Sequence, residues 1–236
     1  MALLDVIYRD DHLVAINKPD ALLVHRTRLS GDRMAVLQIL RDQMNRTLYP
    51  VHRLDRATSG VLLFALDSET ASQLGNAFAE RQVHKTYRAI VRGQPPLHGD
   101  IDHPIMDPDD PVPRPARSSF ACLETLRLDQ EIEGRQATYS LVEVRPETGR
   151  RHQIRRHLKH IHHPIIGDTT YGRGPHNRFF REQFGLYRLL LHARSLELIH
   201  PHTGQPLRIE VSETEERSWR LFREKTNGQW GTTEIV

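Results

Sequence analysis

The chain has 236 residues, 38% hydrophobic and 27% charged, enough apolar material for one sizeable core or two smaller ones. No apolar run reaches the roughly 20 residues that a bilayer-spanning helix needs, and Met1-Ala2-Leu3-Leu4-Asp5 lacks the basic start of a signal peptide. The single Cys122 excludes an internal disulfide and suits a reducing compartment, so cytoplasm is the expected location. A formal charge of +3 is too small to name a polyanion as partner, but the basic residues gather between Arg150 and His163.

In chain order, Asp5–Asp10 and Leu13–Asn17 predict two short strands around an Asp10-Asp11 turn. Lys18-Pro19 ends the second, because proline brings no donor to a ladder. Met34 to Met44 carries Val36, Leu37, Ile39 and Leu40 at helical spacing and predicts an amphipathic helix. The charged stretch Val51-His52-Arg53-Leu54-Asp55-Arg56-Ala57-Thr58-Ser59-Gly60 then runs into Val61–Leu66, which predicts a loop entering a buried strand. A surface ion-pair loop and a placed catalytic carboxylate both fit these residues. Ser68 reads as the N-cap of a helix with Ala71, Leu74 and Phe78 on one face.

Val83–Gly93 predicts a strand with Lys85, Tyr87, Ala89 and Val91 on one side, where composition alone makes Tyr87 a core residue. Pro95 to Pro115, rich in Pro, Asp and Gly, predicts a long excursion without regular structure. Asp107, Asp109 and Asp110 lack the glycine and distal glutamate of a calcium loop and read as solvated. Ser119–Leu128 and Gln136–Val144 predict paired strands with a turn near Glu133-Gly134. Ile154, Leu158 and Ile161 fall at i, i+4 and i+7 and make one helical stripe. Arg151, Arg155, Arg156 and Lys159 lie off that stripe, and phosphate contact is the better account of so many cations. His152, His157, His160, His162 and His163 have no cysteine pair and poor ligand spacing, so no metal is expected. Ser212–Lys225 predicts a terminal helix, followed by a loose tail.

Three strings resemble the motifs of the RluA-type pseudouridine synthases: His52-Arg-Leu-Asp-x-x-Thr-Ser-Gly60, Lys85-x-Tyr-x-Ala-x-Val-x-Gly93, and Thr148-Gly-Arg-x-His-Gln-Ile-Arg-x-His-Leu158 with His163-Pro-Ile-Ile-Gly-Asp168 behind it. The opening Ile7–Pro19 and the closing Leu190–Ile209 are similar to the same family. The resemblance implies an α+β pseudouridine synthase fold: a long mixed, mainly antiparallel sheet with flanking helices and a central catalytic cleft. It implies one catalytic domain over residues 1–236, without the S4-type domain that many members carry ahead of it. It implies isomerisation of uridine to pseudouridine in RNA by base flipping, with no cofactor and no metal. Asp55 would be the catalytic aspartate, Tyr87 the tyrosine that stacks on the base, and Arg155 the partner of Asp55. His52, Arg53, Arg56, Arg150, Arg151, Arg156 and Lys159 are the expected substrate-binding residues, with Arg53 placed to fill the gap left in the RNA.

Within the family, the stretch Gly167–Arg178 and Phe184-Gly185-Leu186 are most similar to members that modify uridine 65 in the T-arm stem of tRNA. The expected partner is therefore structured tRNA, met by a monomer with no membrane and no obligatory protein partner. Two alternatives stay open from sequence: a dual-specificity synthase acting on ribosomal and transfer RNA, and a non-catalytic RNA-binding module. A nucleoside hydrolase would share Asp55 but has no need of a long basic face.

Overall fold

The computed structural model describes residues 3–25, 34–107, 110–211 and 230–232. The chain divides into two compact units: Met1–Lys85 with Ala193–Val211, and Thr86–His192 with Ser212–Val236. In chain order the first unit holds β1 (Asp5–Arg9), β2 (Leu13–Lys18), α1 (Val36–Met44), β3 (Tyr49–Pro50), β4 (Ser59–Ala65) and α2 (Ser68–Ala79). The second holds most of β5 (His84–Arg92), then β6 (His98–Asp102), β7 (Ile105–Asp107), β8 (Asp110–Arg114), β9 (Arg117–Ile132), β10 (Arg135–Pro146), α3 (Gln153–His160) and α4 (Gly174–Phe184). Most of β11 (Leu191–Ile199) and all of β12 (Pro206–Glu210) return to the first unit, and β13 (Trp230–Thr232) belongs to the second. The architecture is α+β, as the sequence predicts.

In the first unit the strand order is β1-β2-β4-β11, with β3 on β4 and β12 on β11. All seven residues of β4 are buried, which is why Val61–Leu66 is apolar without alternation. Val61, Leu63 and Ala65 belong to the same core as Leu13 and Ala15 of β2, Leu74 of α2, and Leu196, Leu198 and Ile209 of the last strands. Helix α2 is capped by Asp67, whose Oδ1 accepts the Thr70 amide at 2.7 Å. The expected cap, Ser68, is instead the first helical residue. Asp67 has the extended backbone of a cap (φ −145°, ψ 164°), and its carboxylate adds negative charge at the positive end of the helix.

In the second unit the order is β5-β10-β9-β13, with β6 also on β9. The hairpin of β9 and β10 turns through Glu133 and Gly134, both at positive φ (54° and 71°), the backbone a two-residue type I′ turn requires. Its strands outrun the expected ranges by several residues. Three further findings differ from the sequence reading. The stretch 95–115 is not without regular structure: β6 pairs antiparallel with β9, and β7 pairs with β8. Pro111 and Pro113 sit two apart in β8, whose pairing within the described residues is to β7; an edge strand tolerates prolines spaced two apart on its unpaired side. Second, α4 was not foreseen; Pro175 enters its first turn, Gly185 ends it in the left-handed region, and Phe180 and Phe184 are buried. Third, Trp230–Thr232, expected in a loose tail, lies antiparallel to β9 with Trp230 opposite Leu126. The helix expected at Ser212–Lys225 falls outside the described residues.

Candidate active site

The loop between β3 and β4 carries the first motif. Leu54, Thr58 and Ser59 are buried and pin it, whereas Arg53 and Arg56 are exposed and Asp55 is half-buried. A turn closes over Asp55, with the Thr58 amide donating to the Asp55 carbonyl at 3.0 Å. Register explains what holds the loop. Strand β2 pairs with β4 so that Leu13 faces Ala65 and Lys18 faces Gly60, which delivers the fully buried Lys18 to the loop's exit. Its Nζ donates to the carbonyls of Pro19 (2.7 Å), Leu22 (2.9 Å) and Arg56 (3.2 Å). Arg56 returns the tie by donating from Nε to the Ala21 carbonyl at 3.0 Å. Gly60 closes the loop at φ +109°, and a Cβ there would lie 2.1 Å from the Ala193 carbonyl oxygen. Only glycine fits that contact.

His52 is half-buried, and its ring turns into the first unit. Its Nε2 accepts the Leu63 amide at 3.0 Å, and its ring stacks on Phe78 of α2 at 5.0 Å. Burial, with the charge of Lys85 adding to it, pushes its pKa down to about 3, so the ring is neutral at physiological pH.

In the second unit, Tyr87 lies half-buried on β5 opposite Val144 of β10. Arg155 lies on α3, and its setting corrects the helix reading. Arg155 is buried, along with Gln153, Ile154, His157 and Leu158, so the helix keeps only part of its basic side outside. Arg155 forms a fork with Asp168: Nε to Oδ2 at 2.7 Å and Nη2 to Oδ1 at 2.9 Å. Its Cζ also stands 5.1 Å from the centre of the Tyr171 ring. Periodicity could not see this, because a buried arginine needs a carboxylate brought from thirteen residues further along.

Among the expected RNA contacts, Arg150, Arg151 and Lys159 are exposed and Arg156 is half-buried. Arg150 donates to the Pro115 carbonyl (3.2 Å) and Arg156 to the Met106 carbonyl (2.5 Å). Gln153, quoted in the motif without a role, is a scaffold. Its Oε1 accepts from Thr148 Oγ1 (2.7 Å) and the Arg150 amide (3.0 Å), and its Nε2 donates to the Arg117 carbonyl and Ser118 Oγ.

The histidines near α3 have other work. His157 sits between Ser118 Oγ and the His103 carbonyl, and its pKa is lowered by burial. His160 stacks on His103, and His163 Nδ1 meets the Arg92 carbonyl. Elsewhere His12, Asp67 and His202 bring donor atoms within 4.8 Å of one another. The rings of His12 and His202 are stacked at 3.4 Å and 11°, so their in-plane lone pairs lie in nearly parallel planes. A tetrahedral ion needs converging ones.

Residues 12–160, which include Asp55, Tyr87 and Arg155, match the family model described as RNA pseudouridylate synthase. The chain belongs to the RNA pseudouridylate synthase family. It is 45% identical over 221 residues to the tRNA pseudouridine synthase C of Vibrio cholerae, covering 89% of this chain and 91% of that one. It is 46% identical over 222 residues to the tRNA pseudouridine synthase C of Pectobacterium carotovorum, covering 89% of this chain but 59% of that longer relative. A solved structure of human RNA pseudouridylate synthase domain containing 1 shares the fold at a TM-score of 0.74. That of human RNA pseudouridylate synthase domain containing 4 superposes with a TM-score of 0.73 at 27% identity, covering 97% of this chain and 94% of that one. The family's members are isomerases, and the three motifs read from sequence stand on the loop before β4, on β5 and on α3.

Proposed function

We propose that this chain converts a uridine of tRNA to pseudouridine, with Asp55 as catalytic carboxylate, Tyr87 as the base-stacking residue and Arg155 as the partner of Asp55. The observation that carries the reading is the loop 51–58. It is anchored by buried Leu54, Thr58 and Lys18 yet leaves Arg53 and Arg56 exposed and Asp55 half-buried between them. A merely solvated ion-pair loop has no need of a buried ammonium spread over three carbonyls. The names of the relatives supply the RNA class, and the stretch around Gly167–Arg178 supports uridine 65 of the T-arm stem as the target. The two units act as one catalytic domain, in the cytoplasm, without metal or cofactor.

The reaction must break the C–N glycosidic bond, turn the uracil while it stays bound, and join its C5 to the sugar, with C5 losing its proton and N1 gaining one. A carboxylate suits this as nucleophile or as base at the sugar. It must meet the nucleotide outside its helix, where an aromatic ring offers stacking that any base accepts. Arg155 would pair with Asp55 and aim it. Arg53 would occupy the place the base vacates, while Arg56, Arg150, Arg151, Arg156 and Lys159 would meet phosphates; the ring of His52 packs on Phe78 and takes the Leu63 amide. The test is Asp55→Asn, which keeps size and removes the charge. Pseudouridine formation on a tRNA transcript should drop to background while tRNA binding persists. Turnover by the purified variant would refute the assignment.

A further inference from the structure

We propose that Asp168 is the positioning residue for Arg155, holding the guanidinium by its Nε/Nη2 edge. This rests on the reading that Arg155 acts on Asp55.

The geometry is that of a fixed mount. The Asp168 side chain has no exposed surface and that of Arg155 is 8% exposed. The carboxylate takes both N–H groups of one edge of the guanidinium, a fork that sets its plane as well as its place. Asp168 is itself held. Oδ1 accepts the amides of Thr170 and Tyr171, each at 2.9 Å. Its carbonyl accepts the Gly172 amide at 3.1 Å and Asn177 Nδ2 at 2.8 Å, while Asn177 Oδ1 accepts the Gly167 amide at 2.8 Å.

The glycines leave this turn no slack. A Cβ at Gly172 would lie 2.2 Å from the Asp168 carbonyl oxygen, and one at Gly167, at φ +79°, 1.8 Å from that of Arg188. Tyr171 completes the mount, with its ring beside the Arg155 guanidinium and its hydroxyl 3.1 Å from His152 Nδ1. Burial resists the charge on Asp168, but the hydrogen bonds from Arg155, Tyr171 and Thr170 outweigh it and hold its pKa below the ordinary value. A long side chain has thus lost its rotamer freedom before substrate arrives, which is how positioning contributes to rate. The string Gly-Asp-x-x-Tyr-Gly at 167–172 is the sequence form of this device.

The test is a mutant cycle read by single-turnover pseudouridine formation at saturating tRNA, beside tRNA affinity and thermal midpoint. Asp168→Asn should lower the rate by about 100-fold, the scale of a misplaced catalytic group, with affinity changed less than about threefold. In an Arg155→Met background the same change should cost no further rate, because the two residues act as one unit. Arg155→Lys keeps the charge but loses the fork, and it should fall as far as Asp168→Asn; it serves equally if the latter does not fold. Full additivity with Arg155→Met, or near wild-type turnover by Arg155→Lys, would overturn this inference alone. No turnover of tRNA by the wild-type chain would overturn the functional reading, and this inference with it.

Discussion

Gly60 is the position where backbone sterics and the candidate active site meet, and Gly60→Ala tests both. The substitution places a Cβ at φ +109°, 2.1 Å from the oxygen, 2.7 Å from the nitrogen and 2.8 Å from the carbonyl carbon of Ala193. All three are backbone atoms of β11, so no side chain can swing aside. The left-handed backbone costs an L-residue about 1–2 kcal/mol. Forcing β4 and β11 apart adds about 1–3 kcal/mol, the usual range for overpacking a core. Together these remove about 2–5 kcal/mol from a total that is typically about 5–15 kcal/mol. With a urea slope of about 2–3 kcal/mol per molar, the unfolding midpoint should fall by about 1–2 M.

Gly134→Ala is the matched control, since Gly134 sits at φ +71° with nothing within 4 Å of its would-be Cβ. It carries only the backbone cost, about 1–2 kcal/mol. Urea unfolding followed by tryptophan fluorescence and circular dichroism measures both. Equal losses at the two glycines would remove the steric term, and with it the claim that β11 closes on the exit of the Asp55 loop.

Tyr87→Phe should retain tRNA capture and Tyr87→Ala should lose both capture and rate; a fully active Ala variant would make Tyr87 a packing residue. Neutralising exposed Lys159 should weaken tRNA binding and reduce the slope of log affinity against log salt by about 0.7–0.9, with little change in rate at saturation. Arg156 is a less clean probe, because its removal also frees the Met106 carbonyl. His52 titrates near 3 in the folded chain and near 6.5 once unfolded. The unfolded state therefore binds the extra proton, and stability should fall as pH drops from about 6.5 towards 3, by up to about 1.4 kcal/mol per pH unit. His52→Gln, which can still accept the Leu63 amide, should remove that share of the slope; identical wild-type and variant pH profiles would show that His52 is not held neutral.

Local signals in the chain determine much of this protein. The apolar runs at 61–66, the alternation of 119–128 with 136–144, and the Glu133-Gly134 turn are short-range properties of backbone and side chain. They appear in the structure where the sequence puts them. The three motifs could likewise be read directly, because each is a contiguous string whose resemblance to a family needs no tertiary contact. What the sequence could not settle was pairing at a distance. Arg155 falls off the apolar stripe and reads as exposed, yet it is buried because Asp168 comes to meet it. Lys18 reads as the end of a strand, but the register of β2 on β4 makes its ammonium the anchor of the Asp55 loop. His52 stands among exposed arginines in the motif, yet its ring lies against Phe78 and the Leu63 amide. Each of these is a charged or polar group whose burial becomes affordable only when a partner from elsewhere in the chain arrives, and such partners are set by tertiary packing and not by local pattern.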